Sequence, residues 1–294
     1  MKIRIGTRGS KLALAQAALV EHAVKSAFPD AEAEIVTVTT QGDRVQDRPL
    51  GEIGGCGVFV GELQRALLSG GIDLAVHSAK DLPVEISADT EISAVLDRDD
   101  PRDVLVMRPD SAPHVQFEPE GKYRIGTGSA RRASVLKMRL PNAEFLPVRG
   151  NIDTRLAKLR AGEFDALVLA AAGLSRLGFF DEDMGVVFEV LNPEDVVPAP
   201  CQGIIAVQTR RGDFLGVTQK INDPETMLCF ETERELLRIL HAGCTAPIGA
   251  LARLHFDDRS LISLLATNGH IHKFYESAHI SERFALAAKA AEAL

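Results

Sequence analysis

Two short segments pair glycines and hydroxyls with free backbone donors. Gly6-Thr7-Arg8-Gly9-Ser10 and Gly126-Thr127-Gly128-Ser129 each stand between an aliphatic strand and a helical stretch. A helix N-terminus there offers unpaired N–H groups and partial positive charge to an anion. Neither turn ends in the Gly-Lys-Ser/Thr of a nucleotide-binding phosphate loop, and an ordinary N-cap fits equally well. Arginines gather on the same elements: Arg8 in the first turn, Arg131 and Arg132 opening the second helix, and Arg149, Arg155 and Arg176 at later strand ends and helix starts. Guanidinium forks grip carboxylates at two points, so a converging set would hold a polycarboxylate. In Leu74–Pro83 a strand runs into polar residues and a Lys80-Asp81 pair. A carboxylate there can stabilise a cation or move a proton, although a cap or a local salt bridge explains it as well. Leu82 precedes Pro83 and is biased to an extended shape.

Four cysteines in 294 residues make neither a disulfide framework nor a paired C-x-x-C, which points to a reducing compartment and against a zinc site. Cys229 falls on the apolar side of a helix. Cys56 and Cys201 sit in glycine- or proline-bounded loops without an acid or base close in sequence. Cys244 follows a helix read over Glu231–His241, in the tight loop Cys244-Thr245-Ala246-Pro247-Ile248-Gly249; a nucleophile and a structural thiol are both open readings.

These residues need elements to position them. Residues 1–96 and about 103–190 alternate short strands with helices, an α/β pattern. Asp97–Asp103 reads as a charged connector, Asn192–Pro200 as a second break, and residues from 218 as a third unit: a helix, a strand pair around Asn268-Gly269 and an alanine-rich closing helix. In the first helix Leu12, Ala15, Leu19, Ala23 and Ala27 form the expected inward stripe. The two blocks repeat one another. Ile3–Thr7 returns as Tyr123–Thr127, and Leu67-x-x-Gly70-x-x-Asp73-x-x-Val76 as Leu159-x-x-Gly162-x-x-Asp165-x-x-Val168. Two similar lobes imply a cleft, where ligands bind. The chain is 46% apolar with a net charge of −8, which disfavours a disordered chain or a general polyanion binder but leaves room for a local basic pocket. The longest apolar run, Ala166–Leu174, is too short to span a bilayer.

Several motifs, in order along nearly the whole chain, resemble the porphobilinogen deaminase (hydroxymethylbilane synthase) family. They are Val76–Pro83, Arg131-Arg132, Val148-Arg149-Gly150-Asn151-x-x-Thr154-Arg155-Leu156, Ala172-Gly173-Leu174-x-Arg176-Leu177-Gly178, Pro198-Ala199-Pro200-x-Gln202-Gly203 and Gly243-Cys244-x-x-Pro247-Ile248-Gly249. The resemblance implies an α/β fold: two type II periplasmic-binding-protein-like lobes with mixed sheets plus a small α+β C-terminal domain. Its implied boundaries are 1–98 with 198–215, 99–197, and 216–294. It implies a cytoplasmic, monomeric transferase of tetrapyrrole biosynthesis that condenses four porphobilinogen molecules with release of ammonia, on a dipyrromethane primer held by a Cys244 thioether. Neither a metal, a nucleic acid nor a membrane would take part. Asp81 would be catalytic, stabilising pyrrole cations and assisting proton transfer. Arg8, Asp43, Ser78, Lys80, Thr127, Ser129, Arg131, Arg132, Arg149, Gly150, Arg155, Arg176 and Gln202 would bind cofactor and substrate. The chain departs from the family's usual pattern at Cys56 and Gln41, where basic residues are common, and at Gly128, Ala130 and Cys201. A non-catalytic anion-binding module and an impaired family member are the competing readings.

Overall fold

The computed structural model describes residues 1–39, 57–181, 184–243, 246–269 and 272–294. The chain opens with β1 (Lys2–Thr7), α1 (Lys11–Ala27) and β2 (Glu32–Thr37), then α2 (Gly57–Leu68), β3 (Leu74–Ser78) and β4 (Thr90–Val95). A second group follows: β5 (Asp103–Met107), α3 (Ala112–Phe117), β6 (Arg124–Gly126), α4 (Ala130–Arg139), β7 (Glu144–Leu146), α5 (Ile152–Arg160), β8 (Ala166–Ala170), α6 (Ala171–Ser175) and β9 (Val187–Val190). Then come β10 (Ile205–Arg210), α7 (Leu215–Ile221), α8 (Pro224–Ile239), β11 (Ile248–Leu254), β12 (Leu261–Asn268), β13 (His272–His279) and α9 (Arg283–Ala293).

Two five-stranded sheets share one plan, β2-β1-β3-β10-β4 and β7-β6-β8-β5-β9. In each, the first three strands are parallel. The fourth, β10 or β5, runs antiparallel to both neighbours. Since β5 precedes the rest of its sheet and β10 follows everything in the other, the chain crosses between sheets twice, at 96–102 and 191–204. The chain thus builds two mixed-sheet lobes on one plan, as the resemblance implies. The sequence repeat has a physical basis here: Asp73 accepts the backbone N–H of Arg4 at 2.9 Å, and Asp165 that of Arg124 at 2.8 Å. Each Gly-x-x-Asp thus fastens its strand to the neighbouring parallel strand, β1 or β6.

Helix α1 turns a different stripe inward from the one expected. Gln16, Ala17, Val20 and Val24 are buried, whereas Leu19 is 44% exposed and Ala27 is exposed. The observed face buries two valines against Ile3, Ile5 and the α7 residues Val217 and Ile221. Each buried valine contributes roughly 1.5–3 kcal/mol, whereas three of the five positions of the alternative stripe are alanines.

The third unit has three antiparallel strands, not a pair. Strand β11 shows no polar alternation because Ile248–Ala252 are all buried. A Cβ at Gly249 would stand 2.8 Å from the Val197 carbonyl, and Ala250 N–H donates to Pro198 O, so this strand lies against the second crossing. The helix read over Glu231–His241 starts earlier, at Pro224 on an Asp223 cap, and ends at Ile239. The connector's charges turn inward as well: Arg98 donates to the fully buried Glu233 at 2.6 Å.

A buried polar chain crosses the first sheet, with His77 Nε2 3.0 Å from Gln208 Oε1 and Gln208 Nε2 donating to Thr90 Oγ1. Burial, partly opposed by Gln208, pushes the His77 imidazole down to about 4. The unfolded chain therefore takes up this proton near the ordinary value of 6.5 while the folded chain does not. Stability from this group is complete above that value and is lost as pH falls toward 4, at a cost of about 2–3 kcal/mol by pH 4.5. Urea unfolding of His77→Asn should show a shallower loss between pH 7 and 4.5; an unchanged slope would refute this origin.

Candidate active site

Asp81 closes a single 3₁₀ turn, Ala79–Asp81, at the end of β3. The turn is fastened on both sides. Ala79 N–H donates to Ile204 O, and Leu82 is buried and extended, at φ −69° and ψ 137°, as its position before Pro83 requires. Asp81 itself is exposed. Ser78 exchanges hydrogen bonds with Gln16, a buried α1 residue absent from the expected set, at 2.9 and 3.1 Å. Lys80 Nζ donates to Gln202 Oε1 at 3.1 Å. Burial, then Arg132, push its amine down to about 8, against the opposing pull of Asp81 and Asp103.

Arg131 and Arg132 open α4, where cations oppose the helix dipole. Their counterpart is Asp103, the fully buried first residue of β5. Asp103 accepts from Arg131 Nη2 at 2.8 Å, from Arg132 Nε and Nη2 at 3.0 and 2.7 Å, and from Gln202 Nε2 at 2.8 Å. Burial alone would raise its carboxyl, but the two arginines and these hydrogen bonds hold it far below the usual range. The Gln202 amide bridges the lobes: its oxygen faces Lys80 and Arg132, and its nitrogen donates to Asp103 and Pro101 O. Nothing in local sequence marked Asp103 as an organiser; it reads as one more charge in a charged run.

The glycine-hydroxyl turns are capped by their own residues. Ser10 accepts from Ala13 N–H, Ser129 from Arg132 N–H, and buried Thr127 from Ser129 N–H. Arg8 sits half-buried in the first turn. Arg176 donates to Gly203 O and pairs with Asp99 at 3.3 Å, which ties it to the crossings.

Arg149 and Arg155 flank Gly150, which adopts φ +100° and has no room for a Cβ beside Thr154. Asn151 caps α5, and Arg155 Nε donates to Gly150 O at 2.8 Å. Neither arginine forms an ion pair with a described carboxylate. Burial, Arg132 and Arg149 lower the Arg155 guanidinium while Asp81 opposes them, so Asp81 of one lobe lies within electrostatic reach of Arg155 of the other. The lobes also meet through Lys11 and Asp153 at 3.3 Å.

Asp43, Cys244 and the divergent Gln41 and Cys56 lie outside the described residues. Beside Cys244, Ala246 N–H donates to Gly243 O, and Pro247 O accepts from Gly269. A Cβ on Gly269 would stand 2.9 Å from Ser134 Oγ of α4, so residues next to the cysteine loop abut the arginine helix. Cys201 has charged neighbours that its local sequence hides: its N–H donates to Glu233. Its thiol is buried and pushed up, chiefly by desolvation and then by Glu233.

A family model described as porphobilinogen deaminase, dipyromethane cofactor binding domain, matches residues 3–215, and one for the C-terminal domain of porphobilinogen deaminase matches 227–294. The porphobilinogen deaminase of Roseiflexus castenholzii is 41% identical over 295 residues, covering 99% of this chain and 95% of that protein. The one from Syntrophobacter fumaroxidans is 43% identical over 267 residues, covering 90% and 84%. Among solved structures, the Bordetella pertussis BvgS periplasmic VFT2 domain aligns with TM-score 0.44 and 19% identity over 79% of this chain and 92% of its own. The BenM effector binding domain with benzoate aligns at 0.42 and 16% over 82% and 94%.

Gly203 sits at φ +90°, and a Cβ there would come within 2.3 Å of Asp99 O. Relieving that clash must shift one crossing against the other and disturb Arg176. Gly203→Ala should lower unfolding free energy by about 2–4 kcal/mol; a denaturation midpoint equal to the parent's would contradict the fit.

Proposed function

The chain belongs to the porphobilinogen deaminase family, and on that premise we propose how its own residues divide the work. The activity is that of hydroxymethylbilane synthase: stepwise condensation of four porphobilinogen molecules with loss of ammonia, then hydrolytic release of the linear tetrapyrrole. Each porphobilinogen carries an acetate and a propionate, so the cleft must hold many carboxylates at once.

The donor set fits such a load. Arg149 and Arg155 have no carboxylate partner among the described residues, and the Nε of Arg131 is buried without a hydrogen-bond acceptor among them. Carboxylates of a dipyrromethane primer and of the incoming pyrrole would satisfy these donors, with bidentate geometry available at each fork. When bound, the dipyrromethane supplies the pyrrole carbon to which the first unit is joined. Cys244 is the sulfur we assign to its tether, in keeping with neighbours that abut α4. Arg149 and Arg155 hold ligand carboxylates directly. Arg131, Arg132 and Lys80 keep the cleft wall positive while Asp103 and Gln202 fix their directions, and Arg8 and Asp43 complete the first lobe's side. Ser78, Thr127, Ser129 and the Gly150 backbone shape the walls.

Asp81 is the catalytic carboxylate in this reading, and its exposure at the end of β3, within electrostatic reach of Arg155 of the other lobe, is the observation that supports it. Its oxygens accept a pyrrole N–H and stabilise the positive charge left when the aminomethyl nitrogen departs as ammonia. The same carboxylate assists removal of the proton from the pyrrole α-carbon that has attacked the electrophile left by ammonia loss.

The three sheets support a division into 1–98 with 198–215, 99–197 and 216–294. Free buried thiols at Cys201 and Cys229 support a reducing, cytoplasmic setting, and a monomer is the assembly we propose.

Denaturing mass spectrometry of protein from cells making porphobilinogen should show two added pyrrole units, absent from Cys244→Ser; an unmodified parent mass would reject the tether. Asp81→Ala should keep the fold and the adduct yet lose at least about 100-fold in kcat, and near-parental turnover would remove Asp81 from its role.

A further inference from the structure

Helix α8 carries two adjacent charged residues that reach in different directions. Glu233 is fully buried and accepts from Arg98 of the first crossing, Cys201 N–H of the second and Ala252 N–H of β11 at 2.7 Å. Arg234 reaches the other way. Its Nη2 donates to Pro83 O at 2.7 Å and Val84 O at 2.6 Å, and its Nη1 to Leu82 O at 3.4 Å. The guanidinium carbon lies 5.7 Å from the Phe230 ring centroid, within cation–π range.

No described carboxylate pairs with Arg234; three consecutive carbonyl dipoles and an aromatic face hold it instead. A half-buried cation without a counter-ion is a costly arrangement, and the Phe230 contact with three carbonyls offsets only part of that. Those carbonyls belong to the three residues that directly follow Asp81. Pro83 has no N–H, so the segment cannot be held through that backbone donor. The other end of α8 runs through Leu240–Gly243 into Cys244. One rigid helix therefore touches the backbone behind the carboxylate and leads into the loop of the thiol.

We propose that Arg234 is a positioning residue, which holds the Leu82–Val84 segment and thereby keeps Asp81 in register with the domain that carries Cys244. This rests on the roles proposed above for those two residues. Each added pyrrole lengthens the bound chain while the reacting end must still meet one carboxylate. A displacement of about 1 Å in such a group can cost on the order of 100-fold in rate, and Arg234 restrains the backbone that would permit it.

The test compares Arg234→Met and Arg234→Lys with Arg283→Met, which removes an arginine of the same domain whose partner, Glu231, lies outside the site. Each purified variant is assayed for covalent dipyrromethane by denaturing mass, for melting temperature, and for kcat and KM with porphobilinogen at least 20 °C below the melting temperature. Arg234→Met should keep the adduct and a KM within about 3-fold of the parent while kcat falls about 10- to 100-fold. Arg234→Lys retains the charge but loses the fork, and should recover part of that loss. Arg283→Met should lower the melting temperature with kcat unchanged. If Arg234→Met does not fold, a kcat deficit in loaded, folded Arg234→Lys carries the proposal. Parental kcat in a loaded Arg234 variant, or a rise in KM alone, overturns it. Failure of the underlying reading shows separately, as a parent protein without adduct or an Asp81→Ala enzyme that still turns over.

Discussion

A carboxylate with no exposure to water, Asp103, holds two arginines of α4 and the amide that joins the lobes. Two guanidinium groups at a helix N-terminus, close to a half-buried lysine, would repel one another and the helix dipole. Asp103 makes their proximity tolerable, and its four hydrogen bonds fix where they point. Breaking such a buried pair by removing one partner costs about 3–5 kcal/mol, so its geometry is stiff. That stiffness suits a cleft that must present cations to a carboxylate-rich ligand without collapsing when empty.

Stiffness on this scale sorts the arginines into two kinds. Arg131, Arg132 and Arg176 are anchored to Asp103, Asp99 and backbone carbonyls; they set the field of the cleft and offer only their remaining donors. Arg149 and Arg155, on either side of a left-handed glycine, lack acidic partners among the described residues, and Arg155 lies within electrostatic reach of Asp81 of the other lobe. A fixed positive wall with a few uncommitted forks is a sound arrangement for a ligand that changes length during the reaction, because held charges need no reorganisation at each step.

The third domain is joined to the same framework. Glu233 binds both crossings, Gly249 lets β11 lie against Val197, and Arg131 donates to that same Val197 carbonyl. The crossings, the arginine helix and the domain with Cys244 therefore share contacts along one seam. The proposed tether and the cleft are thereby joined through one shared seam.

The α/β repeat, the third unit, the strand leading to Asp81 and the six arginines were legible in the residue order. Aliphatic periodicity reports which segments are buried, and proline and glycine report backbone shape. Local order could not rank two equally spaced stripes on α1, since the choice depended on valines meeting α7. It could not reveal β11, because a strand covered on both faces loses its alternation. Nor could it tell which charges pair: Asp103 meets Arg131 28 positions away, and Gln202 meets Lys80 across 122. Periodicity names the face a residue turns to but not the partner it finds there. The sequence alone therefore established the inventory of charges, while the folded chain decided which of them neutralise one another and which remain for a ligand, because Coulomb and hydrogen-bond energies depend on distances that only packing creates.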